Sequence, residues 1–212
     1  MNPIEQMLTG QMEMREFIPL LKNDETTRKE INMLIPEQAK RNREHDFWEK
    51  RISYTSLRNS DFDLIKFLNW LARFDGSIGD NLNIFAIIQA VYLYHCPDLP
   101  CTQRYKDAFQ LYLDVTKDCF DGPEVHDLVQ KIIQNALALK GKGKRIALAK
   151  TEIQRLFHTE NSKRPRWIQG AEWPMGHLSP MRFISQTRKG EAVQFLFEDV
   201  DTKKVRIVEQ FF

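Results

Sequence analysis

The chain has 212 residues, of which 42% are apolar and 28% charged, as is ordinary for a soluble globular protein with a hydrophobic core. Its net charge of +2 is close to balanced, so the total does not by itself indicate a polyanionic partner. No segment approaches the roughly eighteen apolar residues that a membrane span requires. Residues 1–15 mix charged with apolar side chains, unlike a secretory signal, and the three cysteines are an odd number. We therefore expect a cytoplasmic protein with reduced thiols.

Residues 1–158 show the 3.6-residue period of amphipathic helices, and the pattern predicts about six or seven of them. The segment 80–95 is apolar on nearly every face, which predicts a helix at the centre of the fold. Thr102 has the position of a cap for the helix that follows. The sequence "DGPEV" at residues 121–125 combines a glycine with a proline and predicts a junction between two helices.

The sequence also predicts several helix ends and the inward faces of two helices. In residues 12–50, Pro19 and Pro36 predict breaks between short peripheral helices and turns. Ser60 and Asp63 have the spacing of a capping box. Beyond "DGPEV", the periodicity predicts two helices with the following inward residues: Val125, Leu128, Ile132 and Ala136, then Ile146, Ala149, Ile153 and Leu156 or Phe157.

After residue 180 the period changes from 3.6 to 2, which predicts three short antiparallel strands. Turns are predicted at Lys189-Gly190 and over residues 199–203. The apolar residues expected on the inward face of the sheet alternate with mostly polar ones: Met181, Phe183, Val193, Phe195, Phe197, Val205, Ile207 and Phe211. We predict an α+β fold with a helical domain over 1–158, a connector over 159–180 and a small sheet subdomain over 181–212.

The connector carries two tryptophans, Trp167 and Trp173, in the proline-rich and glycine-containing sequence "RPRWIQGAEWP". A three-stranded sheet is barely stable alone and must cover its apolar face. Each indole can bury roughly 200 Å² of surface while its N–H finds an acceptor. We therefore expect the two tryptophans to lie between the helices and the sheet; the alternative is an exposed platform that stacks on a ligand.

No pattern of residues predicts catalysis, a metal or another cofactor. The sequence contains no P-loop, no G-x-S-x-G and no H-E-x-x-H. The cysteines at 96, 101 and 119 lack the tight paired spacing of structural zinc sites. The sequence therefore favours a protein that is not an enzyme and has no metal or cofactor site.

Local charge is uneven. Residues 140–166 contain nine lysines and arginines against two glutamates, and residues 98–124 contain six acidic residues against three basic ones. The basic segment, followed by Trp167, suits a nucleic-acid surface, although no RRM, KH or helix-turn-helix signature accompanies it. A solvated face of an amphipathic helix is the alternative.

Four C-terminal segments resemble bacterial immunity proteins of contact-dependent growth inhibition and related polymorphic-toxin systems. They are "PRWIQGAEWP", "SPMRFISQ", "FEDVDT" and "VEQFF". The helical middle with "FDGPEV" is similar to the same group, whereas residues 1–59 match no part of it. The resemblance implies a non-catalytic bacterial protein of the cytosol that binds and neutralises a cognate secreted toxin domain, which in such systems can be a nuclease.

If a toxin is the partner, complementary charge would speed association. The candidate binding residues for a basic toxin are acidic: Asp114, Asp118, Asp121 and Glu124. The candidates for an acidic toxin are basic: Lys144, Arg145 and Arg155. The alternative function is a nucleic-acid-binding regulatory protein that uses the basic segment 140–166.

Overall fold

A computed structural model describes residues 2–35, 64–74, 77–116, 119–160 and 163–212. Eight α-helices lie within these residues, followed by a three-stranded antiparallel sheet at the C-terminus, so the predicted α+β class is confirmed. The predicted caps Ser60 and Asp63 and the predicted break Pro36 lie outside the described residues. The chain packs as two compact units, Met1–Phe109 and Gln110–Phe212. The domain boundaries predicted at residues 158 and 180 stay a prediction.

The helices are named in chain order: α1 Pro3–Thr9, α2 Met14–Asn23, α3 Glu25–Leu34, α4 Leu64–Leu71, α5 Ile78–His95, α6 Arg104–Thr116, α7 His126–Leu137 and α8 Lys142–Leu156. A short 3₁₀ helix, Ala72–Phe74, follows α4. The count in the described residues exceeds the predicted six or seven. Residues 14–34 form two of these helices, as the short peripheral helices predicted there.

The first unit is built around α5, as the all-round apolar pattern predicted. Helices α1, α3 and α4 all pack against it. Phe85, Ile88 and Val91 of α5 are fully buried. Ser77 caps α5 by accepting a hydrogen bond from the Asp80 amide, which starts the helix two residues before the predicted position.

The prediction that Pro19 breaks the chain is wrong. Proline stands inside α2, which continues from Met14 to Asn23. Phe17, Ile18 and Leu21 of this helix are buried in the core of the first unit. Tertiary burial of an apolar face therefore outweighs the loss of one helical hydrogen bond at the proline.

The second unit pairs α7 with α8. The inward face of α8 is confirmed: Ala149, Ile153 and Phe157 are fully buried, and Phe157 rather than Leu156 faces inward. The predicted inward residues of α7 are confirmed at Val125 and Ala136, whereas Val129 and Ile133 are buried in place of Leu128 and Ile132. "DGPEV" does join two helices, but the second starts at His126 after a turn rather than at the proline.

The sheet has the order β1-β2-β3, with β1 Arg182–Lys189, β2 Ala192–Glu198 and β3 Val205–Phe211. Both predicted turns are present, the first with Gly190 at positive φ. A bulge between Phe183 and Ser185 shifts the phase of β1, so that Gln186 and not Ser185 stands opposite Phe195.

The predicted inward face of β3 is wrong. Phe195 and Phe197 of β2 are fully buried, and opposite them stand Val208 and Arg206. The apolar residues expected inside, Val205, Ile207 and Phe211, are 66%, 56% and 55% exposed. A strand offset by one residue turns every side chain to the other face.

Candidate partner-binding surface

Trp173 lies at the centre of an aromatic cluster between the helices and the sheet of the second unit. Its ring contacts Phe120 and Phe157 on the helical side and Phe197 on the sheet, with centroids 4.6–5.6 Å apart. The side chain is 1% exposed, and its indole N–H donates to the carbonyl of Met181 at 2.7 Å. The predicted position of this tryptophan is therefore confirmed.

Trp167 belongs to the same interface. Its ring stacks on Phe197 with centroids 5.9 Å apart and contacts Phe195 at 4.7 Å. Its indole N–H donates to the carbonyl of Cys119 at 3.0 Å. Because both the ring and the N–H are engaged inside the second unit, the indole is not placed as an exposed platform for stacking a base.

The "DGPEV" turn is packed directly against the Trp173 backbone. The Trp173 amide donates to the carbonyl of Asp121 at 3.0 Å. Gly122 has a φ of 154°, and a Cβ at this position would lie 2.7 Å from the Trp173 nitrogen. Glycine is thus required here both by conformation and by the close approach of the second backbone.

Two buried polar residues hold the loops at the ends of the sheet. Asp199 accepts hydrogen bonds from the hydroxyl of Thr202 at 2.7 Å and from the amide of His177 at 2.9 Å. Gln210 is 1% exposed; its carbonyl accepts from the amide of Ile168, and its amide donates to Gly170. A buried amide or carboxylate with this many partners organises the fold.

The predicted acidic residues are largely occupied by internal contacts. Asp121 accepts from the hydroxyl of Tyr112 and lies 3.4 Å from His126 Nδ1. Burial alone would raise the pKa of Asp121, but the hydrogen bonds from His126 and Tyr112 outweigh it and hold that pKa below its ordinary value. Glu124 receives two hydrogen bonds from the Arg206 guanidinium, at 2.8 and 2.9 Å, and these lower the pKa of Glu124.

Asp114 accepts from Gln110 at 2.9 Å and lies 3.4 Å from the Lys142 ammonium. Asp118 lies outside the described residues. The three acids that the structure describes are therefore near one another in sequence, yet each has its own partner. Their role in binding stays a prediction.

The predicted basic residues lie along α8 with different surroundings. Lys144 is exposed, Arg145 donates to the carbonyl of Leu139 at 2.8 Å, and Arg155 pairs with Glu152 at 2.6 Å. An exposed pair within one helix contributes little to stability. These positions are available to solvent, and their binding role likewise stays a prediction.

Sequence reasoning missed the outward face of the sheet. The exposed side chains of Val205, Ile207 and Phe211 share this face with Leu196, which stands opposite Ile207. Their alternation was visible in the sequence and was assigned to the wrong side. Since exposed apolar side chains grouped on one surface are typical of interaction sites, this face, here called the outer sheet face, is the strongest candidate for binding a partner.

A cavity of about 440 Å³ is lined by Tyr112, Asp121 and His126, together with glycine, proline and alanine residues. An Asp–His pair can move a proton in a reaction. The described lining contains no serine or cysteine that it could activate, and the carboxylate is occupied in holding the turn.

Within the described ranges, no three His, Cys, Asp or Glu side chains converge as metal ligands would. Cys96, Cys101 and Cys119 carry thiols without disulfides, and burial raises the pKa of Cys119. In the same ranges, no helix combines the length and the apolar composition that a bilayer span needs. Comparison with protein-family models, curated proteins and solved structures gives no significant match.

Proposed function

We propose that this protein is an immunity protein that binds a cognate secreted toxin domain in the bacterial cytosol and blocks it without catalysis. The observation that carries the proposal is the outer sheet face, where Val205, Ile207 and Phe211 are each more than half exposed. Apolar and aromatic anchors of this kind contribute most of the binding energy of protein interfaces once a partner covers them.

Polar pairs lie on this face as well. Arg182 pairs with Glu198 at 2.6 Å, and Gln194 donates to Glu209 at 2.9 Å across the neighbouring strands. Since Glu209 stands between Ile207 and Phe211 along β3, the face mixes apolar with polar side chains, as protein interfaces usually do. The antiparallel ladder holds the backbone of these strands in place, so that little backbone entropy is lost on binding.

The segments that carry the family resemblance support the same reading in a different way. Trp173, Asp199 and Gln210 of these segments are buried and hydrogen-bonded within the second unit. They therefore stabilise the fold, and recognition of the partner falls to the exposed positions between them.

The test is growth rescue on co-expression with the toxin domain encoded by the gene immediately upstream. Wild-type protein is expected to restore growth. Ile207→Asp and Phe211→Asp, which place a charge on the outer sheet face, are expected to abolish rescue and to weaken binding of the purified domain at least a hundredfold.

Met33→Asp is the matched control. Met33 is 73% exposed on α3, so this substitution likewise replaces an exposed apolar side chain with a carboxylate, but outside the sheet. This variant should rescue like wild type. The proposal fails if wild type does not neutralise a toxin domain shown to be active, and the assignment of the surface fails if the outer-face variants rescue fully.

The alternative, a nucleic-acid-binding regulator, draws support from the exposed Lys140, Lys144 and Lys150 of the basic segment. It predicts affinity for bulk tRNA that falls steeply as salt rises. Absence of tRNA binding at low salt would remove it.

A further inference from the structure

Strand β1 has an open outer edge. It is the first strand in the order β1-β2-β3, and seven of its eight residues are exposed. Among the described residues, its main-chain hydrogen bonds within Arg182–Lys189 run to β2 alone. The other edge strand is partly covered, because Gln169 donates to the carbonyl of Phe211 and Gln210 binds Gly170. An uncovered edge is a template for an added strand.

A cleft of about 730 Å³ runs between this edge and residues 163–166. The Arg166 amide donates to the side-chain oxygen of Gln186 at 2.8 Å, which fixes the spacing of the two walls. Phe183 and Pro165 are buried, and together with the exposed Ile184 they form most of the apolar lining. The cleft is therefore a built groove beside a strand, and not an isolated surface depression.

The charge of the cleft has one sign. Lys163, Arg164 and Arg166 line it, and none of the lining residues that the structure describes is acidic. Arg164 lies over the ring of Phe120 at 4.9 Å, which orients its guanidinium without neutralising it. Three cations with no carboxylate among the described lining residues attract an anionic ligand.

We propose that this cleft binds an extended acidic segment of a partner protein, which adds as a fourth strand to the open edge of β1. Main-chain hydrogen bonds to the edge would supply affinity, and the three cations would select acidic side chains. The proposal holds whether or not the partner is a toxin.

A single-stranded nucleic acid fits this cleft less well. Recognition of such strands relies on bases stacked on exposed aromatic rings. Among the described lining residues of the cleft, the one aromatic residue, Phe183, is buried, and Trp167 next to the basic segment stacks on Phe195 and Phe197 instead. β1 is bulged between Phe183 and Ser185, but its pairing is regular from Ser185 to Lys189. The donors and acceptors of such an edge match a peptide backbone and not a sugar-phosphate chain.

The experiment titrates the full-length protein, labelled with ¹⁵N, with an acetylated and amidated peptide of alternating glutamate and valine. Binding should shift the backbone amide signals of residues 182–189 and leave those of α5 in place. Lys163→Glu combined with Arg166→Glu should weaken binding at least tenfold, and raised salt should weaken wild-type binding.

Two controls test separately whether binding depends on the charges of the cleft and on main-chain pairing with β1. Lys106→Glu combined with Lys131→Glu makes the same charge change at exposed positions of α6 and α7, outside the basic segment, and should bind like wild type. The peptide methylated on alternate backbone nitrogens keeps its charge but loses strand donors, and it should bind at least tenfold more weakly.

Unchanged circular dichroism spectra of the variants establish that they fold. No shift in β1 at millimolar peptide would overturn the proposal, as would equal binding of the methylated peptide. Tighter binding of a single-stranded oligonucleotide at the same residues would assign the cleft to nucleic acid and would likewise overturn it.

Discussion

The two faces of the C-terminal sheet carry similar numbers of apolar side chains but differ in how much of them is buried. On the inner face, Phe195 and Phe197 are fully buried against Trp167 and Trp173. On the outer face, Ile207 remains 56% exposed. The inner face stabilises the second unit by removing apolar area from water, at roughly 25 cal/mol per Å². The outer face leaves more of its apolar area in water, and it is the surface that we propose a partner covers.

The largest expected effect tests the inner face. Trp173→Ala removes the ring that joins Phe120, Phe157 and Phe197, and it should destabilise the second unit by about 3–5 kcal/mol, as large core truncations do. Urea unfolding followed by circular dichroism measures it. A loss below about 1 kcal/mol would mean that the aromatic cluster does not hold the sheet.

Gly122→Ala tests the packing of the inner face at the backbone, where Gly122 contacts Trp173. The added Cβ would lie 2.7 Å from the Trp173 nitrogen, at a φ that L-residues avoid, so we expect a loss of more than about 1 kcal/mol. Gly143→Ala is the matched control. It lies in α8 with no atom near its added Cβ and should stabilise by roughly 0.5–1 kcal/mol, because alanine favours helix. Equal effects in thermal unfolding would contradict the packing described.

A smaller effect concerns the loop between β2 and β3. Hydrogen bonds from the hydroxyl of Thr202 and the amide of Asp201 lower the pKa of Asp199 from 3.8 to about 2. Because the folded pKa is depressed, Asp199 contributes fully above about pH 4, and its contribution is lost as the pH falls towards about 2. Asp199→Asn should be less stable than wild type at neutral pH, and the difference should narrow over this range.

Thr202→Val removes the hydrogen bond that lowers the pKa of Asp199 most. In this variant the stability contributed by Asp199 should therefore be lost at a higher pH than in wild type. Denaturant unfolding at several pH values measures both variants. A gap between Asp199→Asn and wild type that stays constant down to pH 2 would show that the carboxylate is not held as described.

The smallest expected effect tests the outer face. Ile207→Ser should change the free energy of unfolding by no more than about 0.5 kcal/mol, since an exposed side chain loses little on truncation. Phe195→Ser, on the inner face of the same sheet, is the comparison and should be severely destabilising. If Ile207→Ser also unfolds the protein readily, the outer face is covered in solution and the proposed binding surface is wrong.

Much of the fold follows from periodicity. The central helix α5, the inward face of α8 and the three strands were predicted because a repeat of 3.6 or 2 residues reflects which side chains are buried. The tryptophan interface also followed, since a small sheet needs cover. The errors at Pro19 and at the inner residues of α7 arose where packing chose between alternatives that local sequence leaves nearly equal in energy.

The candidate site was less predictable. Asp121 and Glu124 were predicted from the sequence as binding residues for a basic toxin, whereas the structure gives them Tyr112, His126 and Arg206 as internal partners. Those partners lie up to 82 residues away along the chain. A pair interaction between distant positions leaves no periodic signal, so a single sequence does not reveal it.

The sequence by itself determined the class of fold, the central helix and the order of elements, because hydrophobic period and turn residues act locally along the chain. Only the tertiary structure decided which side of β3 faces water. Val205, Ile207 and Phe211 alternate as an inner face would, yet the pairing of β3 with β2 places Val208, Gln210 and the half-exposed Arg206 on the inner side. Alternation fixes that a strand has two different faces; the packing of the neighbouring elements decides which of them is covered.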